Sequence, residues 1–405
     1  MPLSTSVKYI SSTAPGAPVL SAAAGSLSSI LDACLVDGFG LVSVTSVVVT
    51  SGVALANVSS HSFEKYAVAL MIGSTVPALN GEKRVLSVAP TTFTFDATGV
   101  ANGTYSAGPI TAKIAPLGWI THRTSTNKRM FKSPNVLSNG IKLRIDDTNT
   151  HLYWNASLNT AGTLRAQALV SIAYDDTTID AYTGTDTYWP KQNSSTATTA
   201  RPWVIIGDDR GFFFYSMVNS VTSSGTCYYF GEFTNPTLTN DNFATLIMGY
   251  NQSAGVVGNT AGSTPGNSAK SVGSSLYSMG VHGYTNVMLA RSYSQLGGAV
   301  ASVVYGSGLS AYSGLGGLPF PNPADFGLYF CDKLQIVEGA LACMRGTLPG
   351  FNQVLHTRPL GNLVLADNVP SAPGRVYLAI QGQATPLDST TQIGEAMLDI
   401  VGPWR

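Results

Sequence analysis

The sequence predicts a mainly all-β protein: a small N-terminal β-sandwich or barrel, then a larger, jelly-roll-like β-sandwich with long loops, and one short N-terminal helix. Three observations carry this. From Leu41 onward, apolar residues either alternate with polar ones or gather in short runs, the patterns of half-buried and fully buried strands. Gly, Asn, Asp and Pro bound those runs, as turn residues do. Only one stretch repeats with the period of a helix. At 405 residues the chain is long enough for two or three units with their own cores. The changes of pattern divide it into an arm and helix over 1–40, a small β-domain over 41–115 and a large β-rich domain over 116–405.

Residues 1–24 mix Ser, Thr, Pro and Ala around Pro15-Gly16-Ala17-Pro18, which predicts an extended arm without its own core, expected to dock on something else. Leu27, Ile30, Leu31, Cys34 and Leu35 then fall at i, i+3, i+4, i+7 and i+8. They form the apolar stripe of a short helix, with Ser26 as N-cap and Gly38 as its stop. The stripe either packs on a neighbouring sheet of its own chain or is reserved for a partner. In the second case Leu27, Ile30, Leu31 and Leu35 are the assembly residues.

The small β-domain opens with two Val-rich runs joined by Ser51-Gly52, a hairpin signal. Val68–Ile72 and Val85–Val88 flank Asn80-Gly81, the strongest short-range hairpin dipeptide because both residues tolerate positive φ. Phe93 and Phe95 point to one face, and Ile110, Ala112 and Ile114 close the module before Ala115-Pro116. About six short strands need a second layer or closure to be stable. Beyond it, the runs at 142–146, 164–174, 203–206, 212–215, 227–230 and 376–380 predict strands at irregular spacing, without the repeat of a propeller or solenoid. Between Asn242 and Ala324 only Lys270 and Arg291 are charged, amid Gly, Ser and Tyr. Such a segment suits either adaptable contact loops or ordered loops covering their own sandwich.

Composition narrows the function. Charged residues make up 11% of the chain, and 22 basic ones cancel 22 acidic ones. A surface so poor in charge is weakly protected from association, which points to assembly as a homo-oligomer. Without clustered Lys and Arg, nucleic acid is excluded as a main partner. The charge-poor run Gly38–Phe63 is broken too often by Ser, Thr and Asn for membrane insertion, and the N-terminus has no signal-peptide pattern. Cys34, Cys227, Cys331 and Cys343 form no CxxC pair and are expected to be buried thiols in a reducing compartment.

No catalytic, cofactor-binding or metal-binding residue is predicted. His61, His122, His151, His282 and His356 are scattered, and no nucleophile elbow, P-loop or zinc-protease motif occurs. Asp146-Asp147, Asp175-Asp176 and Asp208-Asp209 are pairs of carboxylates. Neighbours on a strand point to opposite faces, so they read as turn or cap residues rather than as a glycosidase pair. Trp154, Trp189 and Trp203 are the candidate ligand-facing aromatics for a host-surface glycan, although aromatics in strands are usually core.

Several segments carry a resemblance: Pro15–Leu20, Leu31–Gly40, Ala78–Glu82 with Thr91–Phe95, Thr199–Trp203, Arg345–Gly350 and Leu398–Arg405. On these the chain resembles an uncharacterised family of virion structural proteins of tailed bacteriophages, whose genes lie mostly among tail and baseplate genes. None of the segments is a catalytic motif. The resemblance implies a non-enzymatic tail, collar or baseplate component that contacts other virion proteins, is located in the virion and is assembled in the bacterial host cytoplasm. A receptor- or glycan-binding virion protein and a head decoration protein are the alternatives. A polysaccharide-degrading enzyme has the least support.

Overall fold

The computed structural model describes residues 3–148, 152–154, 164–174, 178–180, 187–192, 194, 196–217, 225–234, 236, 241–249, 285–292, 294–297, 300–305, 324, 328, 330, 335–338, 343–354, 360–367, 369–370, 372–383 and 393–405. Among the described residues the fold is all-β apart from α1 (Ser26–Leu31), which runs on as a π-helical turn over Asp32–Asp37, and a single 3₁₀ turn at Pro77–Leu79. A first strand, β1 (Lys8–Ser11), precedes the helix.

After it come β2 (Phe39–Thr50), β3 (Val53–Val58), β4 (Val68–Ile72), β5 (Gly81–Ala89), β6 (Thr92–Asp96), β7 (Gly103–Tyr105) and β8 (Thr111–Ile114). Strand β2 pairs with both β3 and β8, so the order β2-β3-β6-β5-β4-β8 returns to β2 and closes a six-stranded barrel. Strand β7 lies beside the second half of β2. Alternation fills the interior: Val47 and Val49, Ala54 and Ala56, and Phe93 and Phe95 are all buried. The β2–β3 turn is Ser51-Gly52 with φ of 50° and 78°, the left-handed pair of a type I′ hairpin. Asn80-Gly81 does not make such a turn. Met71 pairs with Gly81 across an eight-residue connection, 73–80. The Asn80 side chain clasps this loop, accepting from the Ser74 N–H at 2.9 Å and donating to the Ser74 carbonyl at 2.8 Å.

Three sheets make up the rest. The first contains β9 (Ile120–Ser125), β10 (Lys128–Lys132), β11 (Lys142–Asp146), β12 (Leu152–Trp154), β13 (Leu164–Ala173) and β14 (Thr187–Gln192). The second runs β1, β15 (Trp203–Gly207), β16 (Gly211–Ser216), β17 (Thr226–Glu232), β18 (Thr245–Ile247), β19 (Thr285–Leu289), β20 (Val300–Tyr305), β21 (Gln335–Glu338) and β22 (Cys343–Thr347). The third contains β23 (Phe351–Gln353), β24 (Leu365–Ala366), β25 (Tyr377–Gln383) and β26 (Ile393–Asp399).

The second sheet lies between the other two. On β16, Phe212 and Phe214 meet Trp189 of the first sheet, with ring centroids 6.0 and 5.4 Å away. The alternate residues Phe213 and Tyr215 meet the third, through Phe351 and through hydrogen bonds of the Tyr215 hydroxyl to Asn362 and the Gln381 carbonyl. A strand buried on both faces needs apolar residues at every position, which explains the unbroken runs Phe212–Tyr215 and Cys227–Phe230. This part of the chain is thus the larger β-sandwich that the sequence predicts, built from antiparallel sheets stacked three layers deep. The middle sheet also curls back on itself. Thr234, just past β17, and Thr347, at the end of β22, exchange both backbone hydrogen bonds at 2.9 Å. The approach demands Gly346, since a Cβ there would lie 2.6 Å from the Phe233 ring.

The arm is not free to dock elsewhere. Strand β1 pairs with β15 from Lys8↔Gly207 to Ser11↔Val204, Leu20 bridges to Arg201, and Val7, Ile10 and Leu20 are buried. Arg84 on β5, 4% exposed, donates to the carbonyls of Ser4, Val7, Tyr66 and Ile400. One guanidinium therefore ties the arm, the barrel and the segment after β26 together. Of the 242–324 segment, most lies outside the described residues, and its described strands β18–β20 belong to the middle sheet.

Candidate functional site

The helix stripe belongs to the core. Leu27, Ile30, Leu31 and Leu35 have no exposed surface, so they hold the helix onto its own chain and are not available as assembly residues. Gly38 ends the helix as expected, at φ 69° with its N–H on the Ala33 carbonyl. The start differs. The N-cap is Gly25, without a side-chain bond, and Ser26 donates instead to the Ser21 carbonyl. The capping acceptor comes from 120 residues away: Asp147 Oδ2 takes the N–H groups of Leu27 and Ser28 at 2.8 and 3.0 Å. A carboxylate there satisfies orphan donors of the first turn. Its other oxygen pairs with Lys191, and both side chains are wholly buried.

Two of the three candidate tryptophans are also core. Trp189 and Trp203 have no exposed surface, and their indole N–H groups donate to the carbonyls of Met248 and Pro18. Neither can face a glycan, because each sits inside the packed stack with its polar atom already bonded. Trp154 is placed only by its backbone, in β12 beside β13, and its side chain lies outside the described residues.

The aspartate pairs divide as turn and cap residues. Asp146 holds Thr148 and Lys128, while Asp147 caps α1. Asp208 accepts the N–H groups of Arg210 and Gly211 at 2.9 Å and pairs with Arg405, and Asp209 accepts from Asn135. Asp175-Asp176 lies outside the described residues. Cys34 and Cys227 are buried free thiols, both pushed well above the usual thiol pKa by burial. Cys331 and the side chain of Cys343 lie outside the described residues.

One cleft of about 530 Å³ gathers charge. Glu232, Asp241, Arg210 and Arg405 line it, with Asn139, Thr234 and Trp404. Sequence reasoning missed it because its residues come from the 133–140 loop, the β15–β16 turn, the end of β17, the residues just before β18 and the last residues of the chain. Glu232 accepts from the Ser138 hydroxyl, the Asn139 N–H and Arg210 at 2.7, 2.8 and 2.8 Å. Asp241 accepts from Arg345 and from the Phe243 N–H, both at 3.0 Å. Arg405 reaches Asp208, the Glu232 carbonyl and the Tyr229 hydroxyl. Each carboxylate is thus occupied in holding a loop or strand end. Among the described residues no group of His, Cys, Asp and Glu could hold a metal ion, and no helix is long and apolar enough to cross a membrane. No protein-family model matches the chain, and no curated protein is similar to it.

Proposed function

We propose that the chain is a non-enzymatic structural component of a tailed-bacteriophage virion, associated with the tail, collar or baseplate and working as a homo-oligomer among other virion proteins. The observation that carries the non-enzymatic part is the bonding of Glu232 and Asp241. Both carboxylates of the polar cleft are taken up by arginines and backbone N–H groups, so neither is poised there as an acid or base for a substrate. The virion comes from the sequence resemblance, and the low charge of the chain supports a role in assembly. Quantitative mass spectrometry of purified virions tests it. A few to a few dozen copies per particle are expected; hundreds would instead indicate a head or tail decoration, and absence of the chain overturns the proposal.

The cleft favours a second reading, a receptor- or glycan-binding virion protein. Its arginines and carboxylates balance, and a neutral polar wall suits a sugar better than an ion. A glycan array with the purified chain separates the two: binding that Arg210→Met abolishes favours the receptor role, and a blank array removes it.

A further inference from the structure

We propose that the side chains of Lys191 and Asp147 condense, with loss of water, into an amide bond, so that the chain staples its own first sheet covalently. This is a reaction of the chain on itself, and it does not depend on the functional proposal above.

Long-range structure brings the two residues together. Asp147 follows the end of β11 and Lys191 lies on β14; both strands pair with β13. The Asp147 backbone is pinned twice, its N–H on the Asn127 carbonyl and its carbonyl on the Gly25 N–H, both at 2.8 Å. Lys191 Nζ rests against Asp147 Oδ1. Among the described pairs of lysine and carboxylate, this one alone has both side chains without exposed surface. An amine and a carboxyl held in this way have no encounter step left to make.

As an ion pair the site is incompletely satisfied. An ammonium has three N–H donors, and Lys191 has two acceptors among the described residues, Asp147 and the Ala23 carbonyl, the latter at 2.9 Å. The third donor is enclosed without an acceptor, and burying the two charges carries a further desolvation penalty. The amide removes both. Its one N–H keeps the Ala23 carbonyl, and its oxygen, the present Oδ2, keeps the N–H groups of Leu27 and Ser28 at 2.8 and 3.0 Å. The partners that an amide needs are therefore already in place.

The steps balance. Lys191 first passes one proton to Asp147 Oδ1, giving a neutral amine and a neutral carboxyl. Burial favours this transfer, because it raises the Asp147 carboxyl above the usual aspartate range against the pull of Lys191 and of the Ser28 and Leu27 N–H groups. The Nζ lone pair then attacks Cγ, and negative charge gathers on Oδ2, where the two backbone N–H groups stabilise it. The nitrogen yields a second proton to the Oδ1 hydroxyl, the Cγ–Oδ1 bond breaks and one water departs. A C–N bond has replaced a C–O bond, nothing is oxidised or reduced, and Nζ retains the one hydrogen directed at Ala23. The enclosed product is shielded from the water that hydrolysis would need. It constrains the unfolded chain between 147 and 191 as a disulfide would, but no reductant opens it.

The intact mass of the purified full chain, folded for a week at room temperature and then denatured, tests this. Most molecules are expected to be lighter than the sequence by one water, and a digest should contain the Asp147 and Lys191 peptides joined. Lys191→Met, which removes the amine at similar length, should have the full mass of its own sequence. A wild-type chain at its full sequence mass overturns the proposal. So does a water deficit that persists in Lys191→Met, since it then arises elsewhere. If Lys191→Met fails to fold, the wild-type digest decides: joined peptides support the bond and separate ones overturn it. The isolated chain reads the bond whether or not virions contain it.

Discussion

The barrel and the three-layered stack are both antiparallel β-structure, yet they dispose of polar groups in opposite ways. Barrel strands are buried on one face, so Val47, Ala54 and Phe93 alternate with Val48, Leu55 and Thr94, which face outward. The middle sheet is buried on both faces at β15–β17, and the charged pairs packed around the stack are enclosed. Lys191–Asp147 and Arg345–Asp241 are fully buried pairs. A layer with no solvent side must hold its charges by pairing them, whereas a barrel can leave its neutral polar groups wet.

The sharpest way to break this comparison is to unpair a charge in the stack. Asp147→Ala strands the Lys191 ammonium and removes the cap of α1, and should cost about 3–5 kcal/mol in denaturant unfolding. The double variant Asp147→Leu, Lys191→Met should lose much less. A single variant within 1 kcal/mol of wild type would mean that the stack admits water.

The junction between the regions comes next. Ile10→Ala on β1 should cost about 2–5 kcal/mol, as other buried truncations do, because the arm is a strand of the middle sheet. Thermal unfolding unchanged by this variant would restore the arm as a separate element. In the barrel, Gly52→Ala should cost about 1–2 kcal/mol through backbone strain alone, since its φ is 78° and the nearest atom to the new Cβ would be 3.5 Å away.

A smaller effect is expected from pH. Burial raises the Asp32 and Asp399 carboxyls above the usual aspartate range, against the pull of Arg129 and Arg375. The folded chain then binds more protons than the unfolded one just above the ordinary carboxyl pKa of about 4. Stability should accordingly fall as pH rises from there through the raised values. Melting temperatures followed over that window in wild type and Asp399→Asn should show a shallower fall in the variant. The smallest effect is Leu55→Lys on the barrel face, within about 0.5 kcal/mol of wild type; a larger loss would mean that the face is part of the core.

The barrel was the more legible region. Its strands are buried on one face, so apolar and polar residues alternate along them, and Ser51-Gly52 carries its own turn chemistry. The Asn80-Gly81 hairpin was found, but not its geometry, because the side chain of Asn80 bonds to Ser74 and the turn lengthens around that clasp. In the sequence Trp189 and Trp203 resemble ligand aromatics, because a tryptophan in a strand looks the same whether one face of its sheet is covered or both. The cleft had no sequence signal, being assembled from five separate segments.

The sequence by itself determined the all-β class, most strand positions and the helix between Ser26 and Gly38, because these depend on local periodicity and on which residues tolerate positive φ. Tertiary structure alone decided that β2 meets β8, that the middle sheet is covered twice, that Thr234 meets Thr347, and that Asp147 caps a helix 120 residues earlier. Those outcomes depend on long-range burial and on pairing polar groups that water can no longer reach, and no window of the sequence contains both partners.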